Sequence, residues 1–221
     1  SNIAETTEAF DVSGLSLNSK TITKGDLFIA LQGEKNHGAE YIDSAIKNGC
    51  IGVLIEGKDV DCGVPTIRID DLKPHLSGLA QNFYTKAKDV DLIAVTGTNG
   101  KTSVSHYISQ LLDFLEVNNG VIGTLGISKV EKKSINTTPD IFSIYSSLEE
   151  YSSQGIKLAI IEASSHALMQ DRLEGLSFIQ GIFTNLTQDH LDYHETMGNY
   201  KEAKGKLFTN GFSKKAIINR D

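Results

Sequence analysis

No apolar run in this chain approaches the ~18 consecutive residues that a bilayer-spanning helix needs, so no membrane segment is expected. Basic charge is also short: 21 Lys and Arg stand against 28 Asp and Glu, a formal net charge of −7. A surface made for nucleic acid would carry the opposite excess, which argues against that partner. Cysteine is scarce, with two in 221 residues, Cys50 and Cys62, each beside a glycine and without metal-type pairing. Thiols so placed read as buried or incidental groups in a reducing cytosol, with a disulfide as the alternative. The start, Ser1-Asn2-Ile3-Ala4-Glu5, lacks the basic-then-apolar order of a secretory signal. The expected location is cytoplasmic.

What is present is a globular composition, 39% hydrophobic and 22% charged, in a chain long enough for one large or two modest domains. Short apolar runs alternate with amphipathic stretches, the pattern of an α/β protein. Strands are expected at 26–31, 51–55, 66–69, 92–95, 119–122, 157–161, 179–183 and 216–218. Helices are expected at 39–48, 73–86, 103–116, 141–153 and 198–208. The polar step Lys88-Asp89-Val90-Asp91 reads as a domain boundary, giving domains 1–88 and 89–221. Only Asn219-Arg220-Asp221 follow the last expected strand, and a phosphate-loop sheet normally has more strands, so the chain reads as part of a longer protein.

The most informative segment is Thr96-Gly97-Thr98-Asn99-Gly100-Lys101-Thr102-Ser103, between an apolar strand and a helix. Backbone N–H groups of such a loop point inward, and the helix start adds free donors and a positive dipole end. Lys101 is placed to meet the outer phosphates and the Thr102 hydroxyl to meet Mg²⁺. Val95 stands where the general G-x-x-x-x-G-K-[ST] pattern has its first Gly, so the loop is a shorter form. A nucleoside triphosphate is the expected ligand.

Four other clusters follow expected strands, where an open α/β sheet binds ligands. In Glu162-Ala163-Ser164-Ser165-His166-Ala167-Leu168, Glu162 is either a Mg²⁺ ligand or a helix cap. In Thr184-Asn185-Leu186-Thr187-Gln188-Asp189-His190-Leu191-Asp192-Tyr193-His194 the two histidines are four apart, which invites a zinc reading. Leu191 stands where that motif has Glu, and a lone histidine is commonly structural. Tyr200-Lys201-Glu202-Ala203-Lys204-Gly205-Lys206 reads alone as a solvated basic face, and Asn136-Thr137-Thr138-Pro139-Asp140 as a helix start.

Together these segments, with Leu17-Asn18-Ser19-Lys20 and 25–31, resemble the Mur ligase family over essentially the whole chain. Within it they are similar to the members that add the third residue of the peptidoglycan stem peptide. The resemblance implies an N-terminal uridine-nucleotide-binding α/β domain followed by the first part of a phosphate-loop central α/β domain. It implies ATP and Mg²⁺ as cofactors, UDP-N-acetylmuramoyl-dipeptide and a diamino acid as partners, and a monomer. Gly97, Thr98, Asn99, Gly100, Lys101, Thr102 and Ser103 would hold the ATP phosphates; Thr102 and Glu162 would meet Mg²⁺, and His190 a second Mg²⁺. Leu17, Ser19, Glu34, Lys35 and Asn36 fall at the uridine end. Asn136, Thr137, Thr138, Ser164, Gln170 and Arg172 fall at the muramoyl-dipeptide. Lys204 falls where the family carries a carbamylated, metal-binding lysine, fourteen residues beyond His190. Asn18, Lys20 and Glu34 depart from the usual Asp, Arg and His, and Asn36-His37-Gly38 is the candidate compensation.

The implied reaction is ATP-dependent amide formation through an acyl phosphate. Lys101 would face the charge gathered during phosphoryl transfer, so its removal should slow chemistry more than it weakens substrate binding. Nothing matches the family's amino-acid-binding C-terminal domain, so this length alone is expected to bind UDP-linked substrate without forming product. Competing readings are another ligase of the superfamily, such as folylpolyglutamate synthase, a non-catalytic nucleotide-binding module, and a generic kinase or GTPase. The last lacks a guanine-reading N-K-x-D.

Overall fold

The computed structural model describes residues 11–33, 35–130, 136–209 and 211–220. They form two compact units, Ser1–Ala80 and Gln81–Asp221. The division falls inside a helix, Leu76–Phe83, and precedes the expected boundary at residue 88. Residues after it are tied to the second unit. The Lys86 N–H donates to Glu149 Oε2 at 2.6 Å, and the 3₁₀ turn Ala87–Asp89 packs on the helix Ile141–Ser153. The polar step is thus a turn that feeds a strand.

In the first unit β1 (Gly14–Ser16), β2 (Asp26–Ala30), β3 (Gly52–Glu56) and β4 (Thr66–Ile69) form one parallel sheet in that order. Phe28, Ala30, Val53 and Ile55 alternate onto one face and pack against Ile22, Ile42, Ala45 and Cys50. The helix expected at 39–48 is split into a 3₁₀ turn, Gly38–Tyr41, and α1, Ile42–Lys47. The split follows from His37, whose Nδ1 accepts the Ala39 N–H at 2.9 Å and starts the turn. Both cysteines are free thiols, so the disulfide alternative is not realised. Burial pushes the Cys50 thiol above its ordinary pKa, and it donates to the Gly52 carbonyl. The segment expected to be helical at 73–86 is a 3₁₀ turn, Lys73–His75, followed by α2, Leu76–Phe83.

The second unit holds β5 (Asp91–Thr96), α3 (Lys101–Phe114), β6 (Asn119–Gly123), β7 (Gly126–Ile127), α4 (Ile141–Ser153) and β8 (Leu158–Glu162). Then come α5 (Ser165–Met169), β9 (Phe178–Phe183), α6 (Leu191–His194), α7 (Met197–Gly205) and β10 (Ala216–Ile218). Its sheet runs β10-β9-β5-β8-β6-β7, parallel except for the β6–β7 pair. The inner strands are near-continuous apolar runs, as strands covered on both faces must be. Asp140 caps α4, accepting from the Ser143 N–H, and α4 buries Phe142, Ile144, Leu148 and Tyr151 completely.

The chain leaves β5 for β6 on one side, returns to β8 beside β5, then crosses to β9 on the other side. That reversal opens a crevice at the C-terminal ends of β9, β5 and β8, the place where doubly wound sheets bind ligands. The short elements β1, β7, α5 and α6 were not expected from sequence; none is longer than five residues.

Candidate functional site

The loop 97–100 joins β5 to α3, which starts at Lys101, two residues before the expected start. Gly100 is its N-cap at φ 83° and Gly97 stands at φ 144°, both in the region glycine favours. A Cβ on Gly97 would also lie 1.9 Å from Thr184 Oγ1. The segment after β9 braces the loop from one side. Thr98 N–H donates to Asn185 O at 2.9 Å, Asn99 N–H to Asn185 Oδ1 at 3.0 Å, and Thr184 Oγ1 to Asn99 O at 2.6 Å. Lys101 folds back onto the loop, with Nζ donating to Gly97 O at 2.9 Å and Thr98 O at 3.0 Å. Burial lowers its pKa, opposed by the charges of Glu162 and Asp189. Ser103 is exposed on the first turn of α3.

On the other side of β5, Glu162 ends β8 fully buried. Its Oε2 accepts from Thr102 Oγ1 and Thr124 Oγ1, both at 2.9 Å, and its Oε1 from the Thr124 N–H at 3.1 Å. It therefore does not cap a helix: Ser164 caps α5, accepting from Ala167 N–H. A buried carboxylate held by hydroxyls and one N–H, touching the hydroxyl that opens α3, is a hard oxygen donor set of the kind Mg²⁺ takes.

Lys204, on α7, is among the most buried large side chains, at 1% exposure. Its Nζ donates to Gly97 O at 2.8 Å and sits 4.3 Å from the Tyr200 ring centroid. Burial, then the charge of Lys101, pushes its pKa down to about 7, with Asp189 opposing. The solvated-face reading of this lysine is thereby corrected; Lys201 is the exposed one. Tyr200, one turn earlier, is 1% exposed and its Oη lies 3.2 Å from Thr98 Oγ1.

His190 is the N-cap of α6 at φ 51°, an unusual position for a non-glycine residue, and its Nε2 is 3.6 Å from Asp189 Oδ2. Its ring lies edge-on to His166 at 4.9 Å between centroids. His194 does not pair with it as a ligand would, because Nε2 is buried 2.9 Å from Ser165 Oγ. Burial depresses the His166 and His194 pKa values; His190 adds to both, and Lys204 to that of His194. No hydrogen bond or ion pair among the described residues joins His190 or Lys204 to Thr102 and Glu162.

The residues expected at the dipeptide gather beside Glu162. Thr138 is fully buried, donates to Glu162 O at 2.6 Å, and accepts from the Ser164 N–H at 3.0 Å. Arg172 Nη1 donates to Thr138 O at 2.7 Å, and its Nε donates to Gln170 Oε1 at 3.0 Å. Thr137 reaches Thr124, while Asn136 is exposed. In the first unit, Leu17 is half-buried and Ser19 is buried in the turn after β1, where Asn48 Nδ2 donates to Ser19 O. Lys35 and Asn36 are exposed, and Glu34 lies outside the described residues. His37 offers no free ring nitrogen for compensation: Nε2 lies 2.9 Å from Glu56 O and Nδ1 takes the Ala39 N–H.

Sequence reasoning did not single out Thr124, and it placed Thr184, Asn185, Asp189 and Tyr200 in clusters without giving them a role. Asn185 and Asp189 carried a signal, being polar residues just after a strand beside the phosphate loop. Thr124 carried none beyond its Gly-bounded turn.

Residues 95–221 match the Mur ligase middle domain, and residues 11–84 match the description "Mur ligase family, catalytic domain". UDP-N-acetylmuramoyl-L-alanyl-D-glutamate–2,6-diaminopimelate ligase of Wigglesworthia glossinidia brevipalpis is 40% identical over 95% of this chain and 45% of its own length. The Aquifex aeolicus protein of the same name is 41% identical over 95% of this chain and 44% of its own. A solved structure of a ligase of that name superimposes with a TM-score of 0.75 at 32% identity, covering 95% of this chain and 43% of the other. The chain thus spans about half the length of the curated relatives it matches.

Proposed function

The chain belongs to the Mur ligase family, and from that premise we propose that it carries the uridine-nucleotide and ATP sites of an ATP-dependent amide ligase. The substrate is UDP-N-acetylmuramoyl-L-alanyl-D-glutamate and the incoming group a diamino acid, 2,6-diaminopimelate being named in the relatives at about 40% identity. The reaction is a cytoplasmic step of peptidoglycan synthesis, carried by a monomer. One observation carries the reading: the loop 97–103, the buried Glu162 and the buried Lys204 converge at the ends of three adjacent strands.

In the reaction the D-Glu γ-carboxylate attacks the γ-phosphorus of ATP, releasing ADP and forming an acyl phosphate. The amine then adds to the acyl carbon, and phosphate leaves as the amide forms. Lys101, now on the loop carbonyls Gly97 O and Thr98 O, turns to the phosphates and offsets their charge. Arg172, whose guanidinium now donates to Gln170 Oε1 and Thr138 O, would turn donors to the substrate carboxylate. Thr102 and Glu162 would hold Mg²⁺, which when bound would further neutralise the phosphates. Lys204 meets the requirement for a carbamate: an amine neutral near pH 7 can add CO₂ and lose a proton, turning a cation into an oxygen donor.

Calorimetric titration tests the reading. The chain should bind MgADP and UDP-N-acetylmuramoyl-dipeptide, and Lys101→Ala should weaken only the nucleotide. Binding of a folate polyglutamate acceptor in place of the UDP-linked ligand would move the chain to the folate branch.

A further inference from the structure

β6 pairs with β8 so that Ile122 lies opposite Ile161, which brings the next residues, Gly123 and Thr124, to Glu162. A Cβ on Gly123 would sit 2.1 Å from Glu162 Oε1, so the carboxylate occupies space that only glycine leaves open. Thr124 then takes both carboxylate oxygens, its N–H on Oε1 at 3.1 Å and its hydroxyl on Oε2 at 2.9 Å. The same hydroxyl lies 3.2 Å from Thr137 Oγ1. A hydroxyl has one proton and an ionised carboxylate only accepts. Thr124 is the donor on the geometry of both contacts, so its one proton serves Glu162 Oε2 at 2.9 Å or Thr137 Oγ1 at 3.2 Å, and the charged carboxylate is the stronger acceptor. Thr124 thus stands between Glu162 and Thr137, within hydrogen-bond distance of each.

We propose that Thr124 is a positioning residue that holds the Glu162 carboxylate at the phosphate loop and ties it to Thr137. The inference rests on Thr102 and Glu162 as the cation-binding pair. When the Thr102 hydroxyl turns to a cation it leaves Oε2, and the two bonds from Thr124 keep the carboxylate aimed. Thr137 lies on the segment assigned to the dipeptide, so a shift at either ligand is felt at the other through one hydroxyl.

The test compares wild type, Thr124→Val and Thr124→Ser in the full chain. ADP affinity is measured by calorimetry with and without Mg²⁺. Thr124→Val should weaken binding about tenfold with Mg²⁺ and less than about twofold without it, because a bond to a charged group is lost only where that group is in use. Thr124→Ser, which keeps the hydroxyl, should recover most of the loss. A Thr124→Val, Glu162→Gln cycle in urea unfolding should show a coupling of about threefold or more in the equilibrium constant. Equal losses in Val and Ser would assign the effect to methyl packing and overturn the proposal, as would an additive cycle. Should wild-type ADP binding ignore Mg²⁺, the cation-site reading fails, and the cycle still decides whether Thr124 holds Glu162.

Discussion

Replacing Lys204 with Met should make the protein more stable at neutral pH while removing the amine proposed to carry the carbamate. The buried amine has its pKa pushed from 10.5 to about 7. An unfolded lysine keeps its proton up to about 10.4, so folding at pH 7 strips or strands that proton. At ~1.4 kcal/mol per unit, the gap of roughly three and a half units costs at most about 4–5 kcal/mol. Met fills nearly the same volume but gives up the bond to Gly97 O, which contributes about 1 kcal/mol. A net gain of about 2–3 kcal/mol at pH 7 is expected once local relaxation is allowed for. The sign with pH is fixed. Between pH 7 and 10.5 the unfolded state binds a proton that the native state does not, so wild-type stability rises with pH relative to the variant. The two stabilities should converge near pH 10 and cross there. Urea unfolding in CO₂-free buffer at pH 7, 8.5 and 10 reads both curves. A Met variant less stable than wild type at pH 7, by an amount that does not change with pH, would show that Lys204 is charged and fully compensated in the fold.

Three further outcomes are expected. Gly97→Ala places a methyl 1.9 Å from Thr184 Oγ1 at φ 144°, so calorimetry should show MgADP affinity down more than about tenfold as the loop is forced off its brace. Asn119 is fully buried and bonds Ser109, Asp113 and Val117 through its side chain, so Asn119→Ala should destabilise by about 1–3 kcal/mol in urea unfolding, through loss of the bonds that tie the start of β6 to α3. In ¹³C-bicarbonate a carbamate resonance should appear in wild type by NMR, grow from pH 6 to pH 8 as the amine loses its proton, and vanish in Lys204→Met.

The sheet was legible because its strands are apolar runs between polar turns, and periodicity reports burial directly. α3 and α4 were legible for the same reason, and Asp140 marked the start of α4 by its capping chemistry. The elements missed are too short to have a period. β7 is two residues and exists because Gly126 turns the chain back onto Ile122, a contact that no local pattern encodes. The boundary near residue 88 was placed on polarity; it lies beyond the division at Ala80 and between the matched segments 11–84 and 95–221. Polarity marks exposure, and a turn on the surface of one unit is as exposed as a linker between two.

The candidate site divides along the same line. Gly97, Lys101 and Thr102 lie in one loop, so spacing along the chain is spacing in space. Lys204 lies more than a hundred residues away, and by itself its segment, with three lysines in seven residues, reads as a solvated face. What separates Lys204 from Lys201 is the helix: Lys204 shares the face of Tyr200, four residues earlier, and that face turns onto Gly97. Periodicity could have paired Tyr200 with Lys204, but only the β9-β5 register brings α7 over the phosphate loop. Burial of the amine then follows from the fold and not from the neighbouring residues. The amine's pKa falls here because tertiary structure removes its water, and that step leaves no mark in the local sequence.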